Sequence, residues 1–275
     1  MRWSERQRVM LEAMGIRLWE PPADPHGLRP EGPPPTSDDT PPAPPPRGRG
    51  GAPGGAQDVA VVGARPVAAP VAAAAGCSEI AAMDWDALRS TVAACTACKL
   101  CTSGRRQTVF GVGNPRAHWM VVGEAPGEQE DQQGEPFVGK SGQLLDNMLR
   151  AIGLTRGEAE PAKQVYIANT LKCRPPGNRN PEPDELVKCE PFLIRQIELV
   201  QPRIILAMGR FAVQSLLRSD EPVGRLRGRV HRYQGVPLIV TYHPAYLLRN
   251  LEDKAKAWDD LCLARATAES VSSAD

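Results

Sequence analysis

The chain lacks several features that would assign it to common classes of protein. No apolar run approaches the roughly 20 residues that a membrane-spanning helix needs, and the charged N-terminus lacks the uninterrupted apolar core of a signal peptide. Neither sign of charge is in excess, with 33 Lys+Arg against 32 Asp+Glu, so a nucleic-acid surface would have to be local. No G-x-G-x-x-G follows an apolar run, which argues against a Rossmann nucleotide-binding domain. We therefore expect a cytoplasmic protein with no membrane partner.

Proline is concentrated near the N-terminus, and its distribution predicts three regions. Thirteen of the 28 prolines lie between Pro21 and Pro53 in a segment without apolar anchors, which predicts a disordered, partly polyproline linker over 21–78. Residues 1–20 have helical apolar spacing and predict a short helical motif, either a tethered helix that docks on a partner or a marginal isolated helix. Residues 79–270 form the predicted globular domain.

Four short apolar runs in the globular region alternate with helical patterns. The runs cover 119–123, 165–171, 203–209 and 237–243. Strands that are apolar on both faces, with helices between them, are typical of a parallel sheet covered on both sides. We predict a three-layer α/β/α fold with a central four-stranded parallel sheet, in which ligands bind at the carboxyl ends of the strands.

Polar groups follow the predicted strands and suit the recognition of a small planar molecule. The amide of Asn169 could pair with N3–H and O4 of uracil together, or it could satisfy neighbouring backbone. A neutral His243 could donate a hydrogen bond to charge on a leaving group, or be a satisfied core histidine. Phe137, in a glycine-bracketed loop, could stack on a base or plug the core.

The seven cysteines favour a metal site over disulfides in such a chain. Cys95, Cys98 and Cys101 form two overlapping C-x-x-C pairs, and Cys173 and Cys189 follow further along the sequence. This spacing alone is compatible with zinc or with an iron–sulfur cluster.

Two basic stretches are candidates for phosphate binding, although each arginine could equally be a solvated surface charge. The first lies between prolines and the second is a compact run at 224–235. Their basic residues are Lys172, Arg174 and Arg179 in the first, and Arg225, Arg227, Arg229 and Arg232 in the second.

Three long motifs resemble the family 4 uracil-DNA glycosylases, the iron–sulfur branch of their superfamily. They read "GEAPGEQEDQQGEPFVGKSGQLLDNML", "NTLKCRPPGNRNPEPDE" and "HPAYLLRN", and the likeness runs from about Cys95 to Asn250. It implies a uracil-DNA glycosylase-like fold and hydrolysis of uracil from single- or double-stranded DNA in base-excision repair. The N-terminal pattern is similar to proteobacterial members, and a tethered short helix suits the recruitment of a possible repair or replication partner. We expect work at the bacterial nucleoid and, by default, a monomer.

The resemblance also implies a 4Fe–4S cluster. Its ligands would be Cys95, Cys98, Cys173 and Cys189, with Cys101 the alternative if the 98/101 pair is the ligating one. The cluster would tie the segment before the first strand to the loop after the second.

Roles in base recognition carry over from the family onto matching positions. Phe137 would stack on uracil, Asn169 would read its edge, and His243 would steady negative charge at O2. The backbone amides of Glu124 and Ala125 would contact the base.

The catalytic carboxylate does not carry over directly. Ala125 stands where family 1 enzymes have a water-positioning aspartate, so the candidates here are Glu124 and Glu130, with Asp131 a third. We place Glu130 beside the pocket, where it would orient water or exclude a 5-methyl group. Glu124 would orient water or stabilise the cationic sugar.

The segment after His243 is the predicted DNA wedge. Tyr246, Leu247 or Leu248 would fill the space left by the flipped base, with one leucine kept in the core. Arg249 would grip a phosphate.

Two other functions are open. A covalent uracil-trapping relative would carry a histidine in a basic insertion, and residues 172–185 here contain none. A metal-stabilised DNA-binding module without glycosylase activity would bind DNA and release no base.

Overall fold

The structure, a computed structural model, describes residues 79–272 and, before them, Val9 alone. Val9 is helical and exposed. The remainder of the predicted 1–20 motif and the whole predicted 21–78 linker lie outside the described residues. In the described part, no helix is both long enough and apolar enough to cross a membrane.

A mainly parallel sheet organises the domain, and its four central strands are the four apolar runs of the sequence. The strand order is β1-β3-β2-β4-β6-β5, with β3, β2, β4 and β6 parallel. The outer strands β1 and β5 pair antiparallel with their neighbours and were not predicted. The strands are β1 Val112–Gly113, β2 Trp119–Gly123, β3 Val165–Asn169, β4 Ile204–Met208, β5 Val230–Tyr233 and β6 Val236–Thr241.

Helices cover both faces of the sheet, so the predicted three-layer α/β/α class is confirmed. The helices are α1 Trp85–Ala93, α2 Glu128–Gln133, α3 Lys140–Ala151, α4 Pro183–Val200, α5 Arg210–Leu217, α6 Val223–Leu226, α7 Pro244–Leu247 and α8 Asp253–Ser272. Short 3₁₀ turns lie at Lys99–Cys101 and Pro176–Asn178.

The alternation of side chains along each strand divides the core into two layers. On one face, Val121 and Ile167 pack with apolar residues of α3 and α8. On the other face, Met120 and Val122 pack with α4 and α5. Each central strand is buried throughout or nearly so, which explains its continuous apolar sequence.

A third apolar cluster lies beside the sheet and contains two cysteines. Leu88 and Val92 of α1 pack there against Leu171, together with Cys173 and Cys189. The segment before β2, the loop after β3 and helix α4 therefore share one buried contact region.

The carboxyl ends of the parallel strands lie at one edge of the sheet. Gly123 at the end of β2 pairs in register with Asn169 at the end of β3, and His243 follows β6. The turn after β2 is attached to the loop after β3, because Leu171 N–H donates to the carbonyl of Glu124 at 3.0 Å. This edge positions the residues described next.

Candidate functional site

A pocket of about 770 Å³ opens at the carboxyl edge of the sheet. Its volume is within the range of about 300–1,000 Å³ that is common for ligand sites. All six residues predicted for catalysis or base binding line it, namely Glu124, Ala125, Glu130, Phe137, Asn169 and His243.

Asn169 presents an unused hydrogen-bond acceptor in this pocket. Its side chain is 2% exposed, and its buried Oδ1 has no hydrogen-bond partner. A buried polar atom without a partner costs free energy unless a ligand satisfies it. Gly123 permits this arrangement, because a Cβ there would lie 2.4 Å from that oxygen and 2.6 Å from Cζ of Phe137.

Phe137 is a buried wall of the pocket and not an exposed aromatic. It is 5% exposed and its ring stacks on that of His243, with centroids 5.3 Å apart and an interplanar angle of 30°. Its φ of 57° is in the left-handed region, which a non-glycine residue seldom adopts. Gly142 makes room for this turn, since a Cβ there would lie 1.7 Å from the carbonyl oxygen of Phe137.

The tautomer of His243 follows from one hydrogen bond. Ala245 N–H donates to His243 Nδ1 at 3.1 Å, so in the neutral ring the proton is on Nε2. Burial lowers the pKa of His243 to about 4. The ring is therefore neutral near pH 7, with Nε2–H as its remaining donor.

Glu124 is the carboxylate whose chemistry the pocket changes most. Burial raises its pKa to about 7, and the positive charge of Arg210 opposes that rise. The backbone of Glu124 is fixed, because its carbonyl accepts bonds from Leu171 N–H and the Thr170 hydroxyl. A carboxylate with a pKa near neutrality suits general-base catalysis.

Glu130 lies beside the pocket, as predicted, and its carboxylate is bound by the backbone. Its carboxylate accepts hydrogen bonds from the backbone amides of Gly127, Val138 and Gly139 at 3.0–3.1 Å. These bonds attach the first turn of α2 to the loop that carries Phe137, so Glu130 helps to hold the pocket together, and its role with water or a 5-methyl group stays a prediction.

The third candidate carboxylate is also occupied. Asp131 is 4% exposed and accepts from the backbone amides of Arg106 and Gln107. Glu124 is therefore the candidate carboxylate that the geometry leaves available.

Two of the arginines predicted to bind DNA instead hold buried carboxylates. Arg179 donates to both oxygens of Glu185, which is fully buried. Arg227 pairs with fully buried Asp260, so it joins α6 to α8. A buried carboxylate needs its partner, so both arginines have a structural role, and their assignment to DNA stays a prediction.

The other basic residues of the two stretches differ in how freely their side chains could bind phosphate. Lys172 is 1% exposed and cannot reach DNA. Arg174 is partly occupied, since its Nε donates to Asn178 Oδ1 at 2.8 Å. Arg225 and Arg229 are exposed, and Arg232 donates to the carbonyl of Gly235.

The predicted wedge segment divides into core and surface residues. Leu247 is 0% exposed and belongs to the main core, so its assignment to DNA binding is corrected. Tyr246 and Leu248 are 37% and 40% exposed. Leu251, which was not predicted, is 63% exposed, and Arg249 lies at the rim of the pocket.

Sequence reasoning missed several pocket residues, Arg210 and Tyr242 among them. Arg210 begins α5 directly after β4 and lines the pocket near Glu124. Tyr242 precedes His243, lines the same pocket and stacks on Tyr246 with centroids 5.1 Å apart. The position of Arg210 after an apolar run was the signal that could have found it.

Four of the cysteines line a second, small cavity between α1, α4 and the loop after β3. They are Cys95, Cys98, Cys173 and Cys189. Cys101 does not line it, and its Sγ lies 3.7 Å from the carbonyl of Thr96. All six described cysteines are free thiols, and Cys77 lies outside the described residues. Four cysteines around one cavity are the donor set that an iron–sulfur cluster requires, so the predicted ligands fit such a group.

Hydrogen-bond donors surround the sulfur atoms of this cavity. Arg105 donates to Cys173 Sγ at 2.7 Å and to the carbonyl of Cys95 at 2.7 Å, and Lys172 N–H donates to Cys189 Sγ at 3.3 Å. Burial raises the pKa of the Cys189 thiol to about 12. Among residues 79–272 no three His, Cys, Asp or Glu side chains have the close spacing of a bound metal ion.

Comparison with known proteins decides the family. The model of the uracil DNA glycosylase superfamily matches residues 110–262, more than half of the chain. The chain belongs to this superfamily. The matched range contains every residue that lines the pocket, together with Cys173 and Cys189.

The relatives of this superfamily member include several type-4 enzymes. It is 43% identical over 161 residues to the type-4 uracil-DNA glycosylase of Archaeoglobus fulgidus, covering 55% of this chain and 78% of that protein. Identity to the type-4 enzyme of Saccharolobus solfataricus is 42% over 174 residues, covering 60% and 77%. That of Sulfurisphaera tokodaii is 42% identical over 172 residues, covering 59% and 75%.

Proposed function

We propose that this chain is a uracil-DNA glycosylase that flips uracil out of single- or double-stranded DNA and hydrolyses its N-glycosidic bond. The product is an abasic site, as base-excision repair requires. The observation that carries this function is the unpaired, buried Oδ1 of Asn169, which lies in a pocket beside the stacked rings of Phe137 and His243.

Asn169 and Phe137 select the base. The Oδ1 of Asn169 accepts N3–H of uracil while its amide N–H donates to O4. Cytosine presents the opposite pattern, an acceptor at N3 and an amino group at C4, so it leaves both groups of the side chain unpaired. The site therefore rejects cytosine, because unpaired buried polar groups are costly. The ring of Phe137 supplies a stacking surface.

His243 stabilises the leaving group. As the bond from C1′ to N1 breaks, its electron pair remains on uracil, and negative charge develops at O2. The neutral imidazole donates Nε2–H to that oxygen, its Nδ1 being held by Ala245 N–H. The uracil anion afterwards takes a proton from solvent.

Glu124 acts on the sugar side of the pocket. We assign its carboxylate to the water that attacks C1′, so that the new C1′–O bond forms while the water proton passes to Glu124. In its ionised form the same carboxylate stabilises the cationic, oxocarbenium-like sugar. Its pKa of about 7 makes the reactive form available at neutral pH.

The DNA strand is held by residues at the rim of the pocket. Arg210 and Arg249 are exposed and line the pocket, so they are placed for phosphates on either side of the flipped nucleotide. Leu248 and Tyr246 are the exposed apolar side chains next to His243, and they fill the space left by the base.

The cysteine cavity holds the 4Fe–4S cluster in this proposal. Cys95, Cys98, Cys173 and Cys189 would be its ligands, because they line one cavity as free thiols and receive hydrogen bonds at sulfur. When bound, the cluster supplies a covalent cross-link among three segments of the chain. A cytoplasmic monomer whose N-terminal motif recruits a repair or replication protein remains our prediction.

Incubation with uracil-containing oligonucleotides, followed by alkali, tests the function. We expect strand breaks at uracil in single- and double-stranded substrates, and slower release by the His243→Ala variant. Binding without strand breaks in protein that contains its cluster would instead indicate a DNA-binding module. A protein–DNA adduct that survives a denaturing gel would indicate the covalent uracil-trapping alternative.

A further inference from the structure

Lys172 is a buried lysine located between the uracil pocket and the cysteine cavity. Its side chain is 1% exposed, although lysine is seldom fully buried. Its Nζ donates to the backbone carbonyl of Asn169 at 2.8 Å and to Gln196 Oε1 at 2.5 Å. The side chain thus folds back onto the residue that reads uracil.

Gln196 of α4 fixes the position of this amino group. It is fully buried, and its Nε2 donates to the carbonyl of Phe110 at 2.9 Å and to the Tyr166 hydroxyl at 3.1 Å. Since both amide hydrogens are used, the Gln196 oxygen must face Lys172. The network is therefore specific for a donor at position 172.

The main chain of Lys172 belongs to the cysteine cavity. Its N–H donates to Cys189 Sγ at 3.3 Å, and its carbonyl accepts Val109 N–H at 2.7 Å. No carboxylate of the described residues forms an ion pair with the Lys172 amino group, as the ion pairs of residues 79–272 are made by other cations.

We propose that Lys172 is a positioning residue that couples the cysteine cavity to uracil recognition. Its main-chain N–H is bonded to Cys189 Sγ at the cavity, and its amino group is bonded to the carbonyl of Asn169 at the pocket. The ammonium in turn holds the backbone of Asn169 in the position that reads the base. This inference rests on the proposed function, because it assigns the coupling to the same pocket.

The physical reason is the cost of leaving buried polar groups without partners. Displacement of the Lys172 amino group would leave the Asn169 carbonyl and Gln196 Oε1 unpaired in the interior, which costs free energy. Displacement would release the Asn169 carbonyl and loosen a segment that also binds the catalytic turn, since Thr170 N–H and Leu171 N–H donate to the carbonyls of Gly123 and Glu124. The side of the pocket formed by Asn169 and the side formed by Glu124 therefore both depend on this segment.

The Lys172→Met variant tests the coupling, because methionine has a similar length and no donor. We compare it with Lys163→Met, the same substitution at a lysine with a 64% exposed side chain. The cluster-loaded variants are assayed on uracil-containing oligonucleotides under steady-state conditions. Iron content and the reduction potential of the cluster are measured on the same preparations.

We expect kcat of Lys172→Met to fall about 10- to 100-fold, with KM little changed, because Asn169 acts on the base after the DNA is bound. The reduction potential should fall as well, since removal of a nearby positive charge disfavours the more negative reduced cluster. Lys163→Met should change neither. A kcat within twofold of wild type, or an unchanged reduction potential, would overturn the proposal.

A second variant covers the case in which Lys172→Met does not fold or load iron. Gln196→Leu keeps the cation and all the cysteines, and removes one acceptor of Nζ. We expect it to retain iron and to lose kcat in the same direction, whereas an unchanged kcat would overturn the positioning role. Failure of the wild-type protein to release uracil would instead refute the proposed function, which makes the two failures distinguishable.

Discussion

At the scale of single residues, Glu124 shows how the pocket changes a common side chain. Its carboxyl group has a pKa of about 7 because burial disfavours its charged form. Nearby carboxylates of the same turn are bound by backbone amides, as Glu130 is. The two glutamates are equivalent candidates in the sequence, but their surroundings in the fold differ, because Glu124 is buried and Glu130 is bound by backbone amides.

The pH dependence of uracil release follows from Glu124. Activity of the wild-type protein should rise through about pH 7 as this carboxyl ionises. Glu124→Gln should show no such rise, and its single-turnover rate at pH 8 should be about 100-fold lower than that of wild type. Glu128→Gln, in an exposed residue of the same turn, is the matched control. An identical pH profile in Glu124→Gln would contradict the assignment.

The same substitution has a calculable effect on stability. The folded-state pKa of Glu124 is raised, so its contribution to stability is complete below the unfolded pKa and is lost as the pH rises through about 7. Between pH 4 and pH 8, the free energy of unfolding of Glu124→Gln should therefore rise relative to that of wild type, by at most about 3 kcal/mol. Urea denaturation at the two pH values measures this difference.

At the scale of elements, the short helix α7 after β6 divides its side chains between core and surface. His243 caps its start, Leu247 enters the core, and Leu248 remains 40% exposed. The sequence could predict that one leucine of this pair is buried. It could not predict which one, because the answer depends on where the helical turn begins.

The two leucines should respond differently to truncation. Leu247→Ala should lower the free energy of unfolding by about 2–5 kcal/mol, because it creates a core cavity. Leu248→Ala should change it by less than about 0.5 kcal/mol, while slowing uracil release from duplex DNA more than from single strands. Urea denaturation and single-turnover assays on both substrates check this. Equal slowing on the two substrates would remove Leu248 from the wedge.

Other elements show the same limit of sequence reasoning. The four central strands were predictable because both of their faces are buried and each run is therefore apolar. The edge strands were missed because β1 has two residues and β5 lies within a basic stretch. Arg227 looked like a DNA contact because its partner Asp260 is 33 residues away in the sequence. Long-range pairs of this kind are invisible to local patterns.

At the scale of the whole molecule, the cysteine cavity joins parts of the chain that are distant in sequence. Cys95 and Cys98 follow α1, Cys173 follows β3 and Cys189 lies on α4. All four line the cavity, and the adjoining apolar cluster includes Leu88 and Val92. The spacing of the cysteines predicted a metal site and left Cys95 and Cys101 as alternatives. The family resemblance favoured Cys95, which lines the cavity while Cys101 does not.

Substitution of the two alternative cysteines tests this arrangement. Cys101→Ala should retain about four iron atoms per chain and the broad visible absorbance of a cluster. Cys95→Ala should lose iron and be less stable, because a ligand is missing. Iron and sulfide analysis with visible spectroscopy provides the measurement. Full iron in Cys95→Ala with loss in Cys101→Ala would show that the ligating pair is 98/101.

The central claim is that the buried amide of Asn169 reads uracil. Its most direct test is the single-turnover rate at which free uracil is released by Asn169→Ala, with Asn147→Ala on α3 as the control. We predict a loss of about 100-fold in Asn169→Ala at unchanged DNA affinity, and a wild-type rate in Asn147→Ala. Release of uracil by Asn169→Ala within twofold of the wild-type rate would contradict the account.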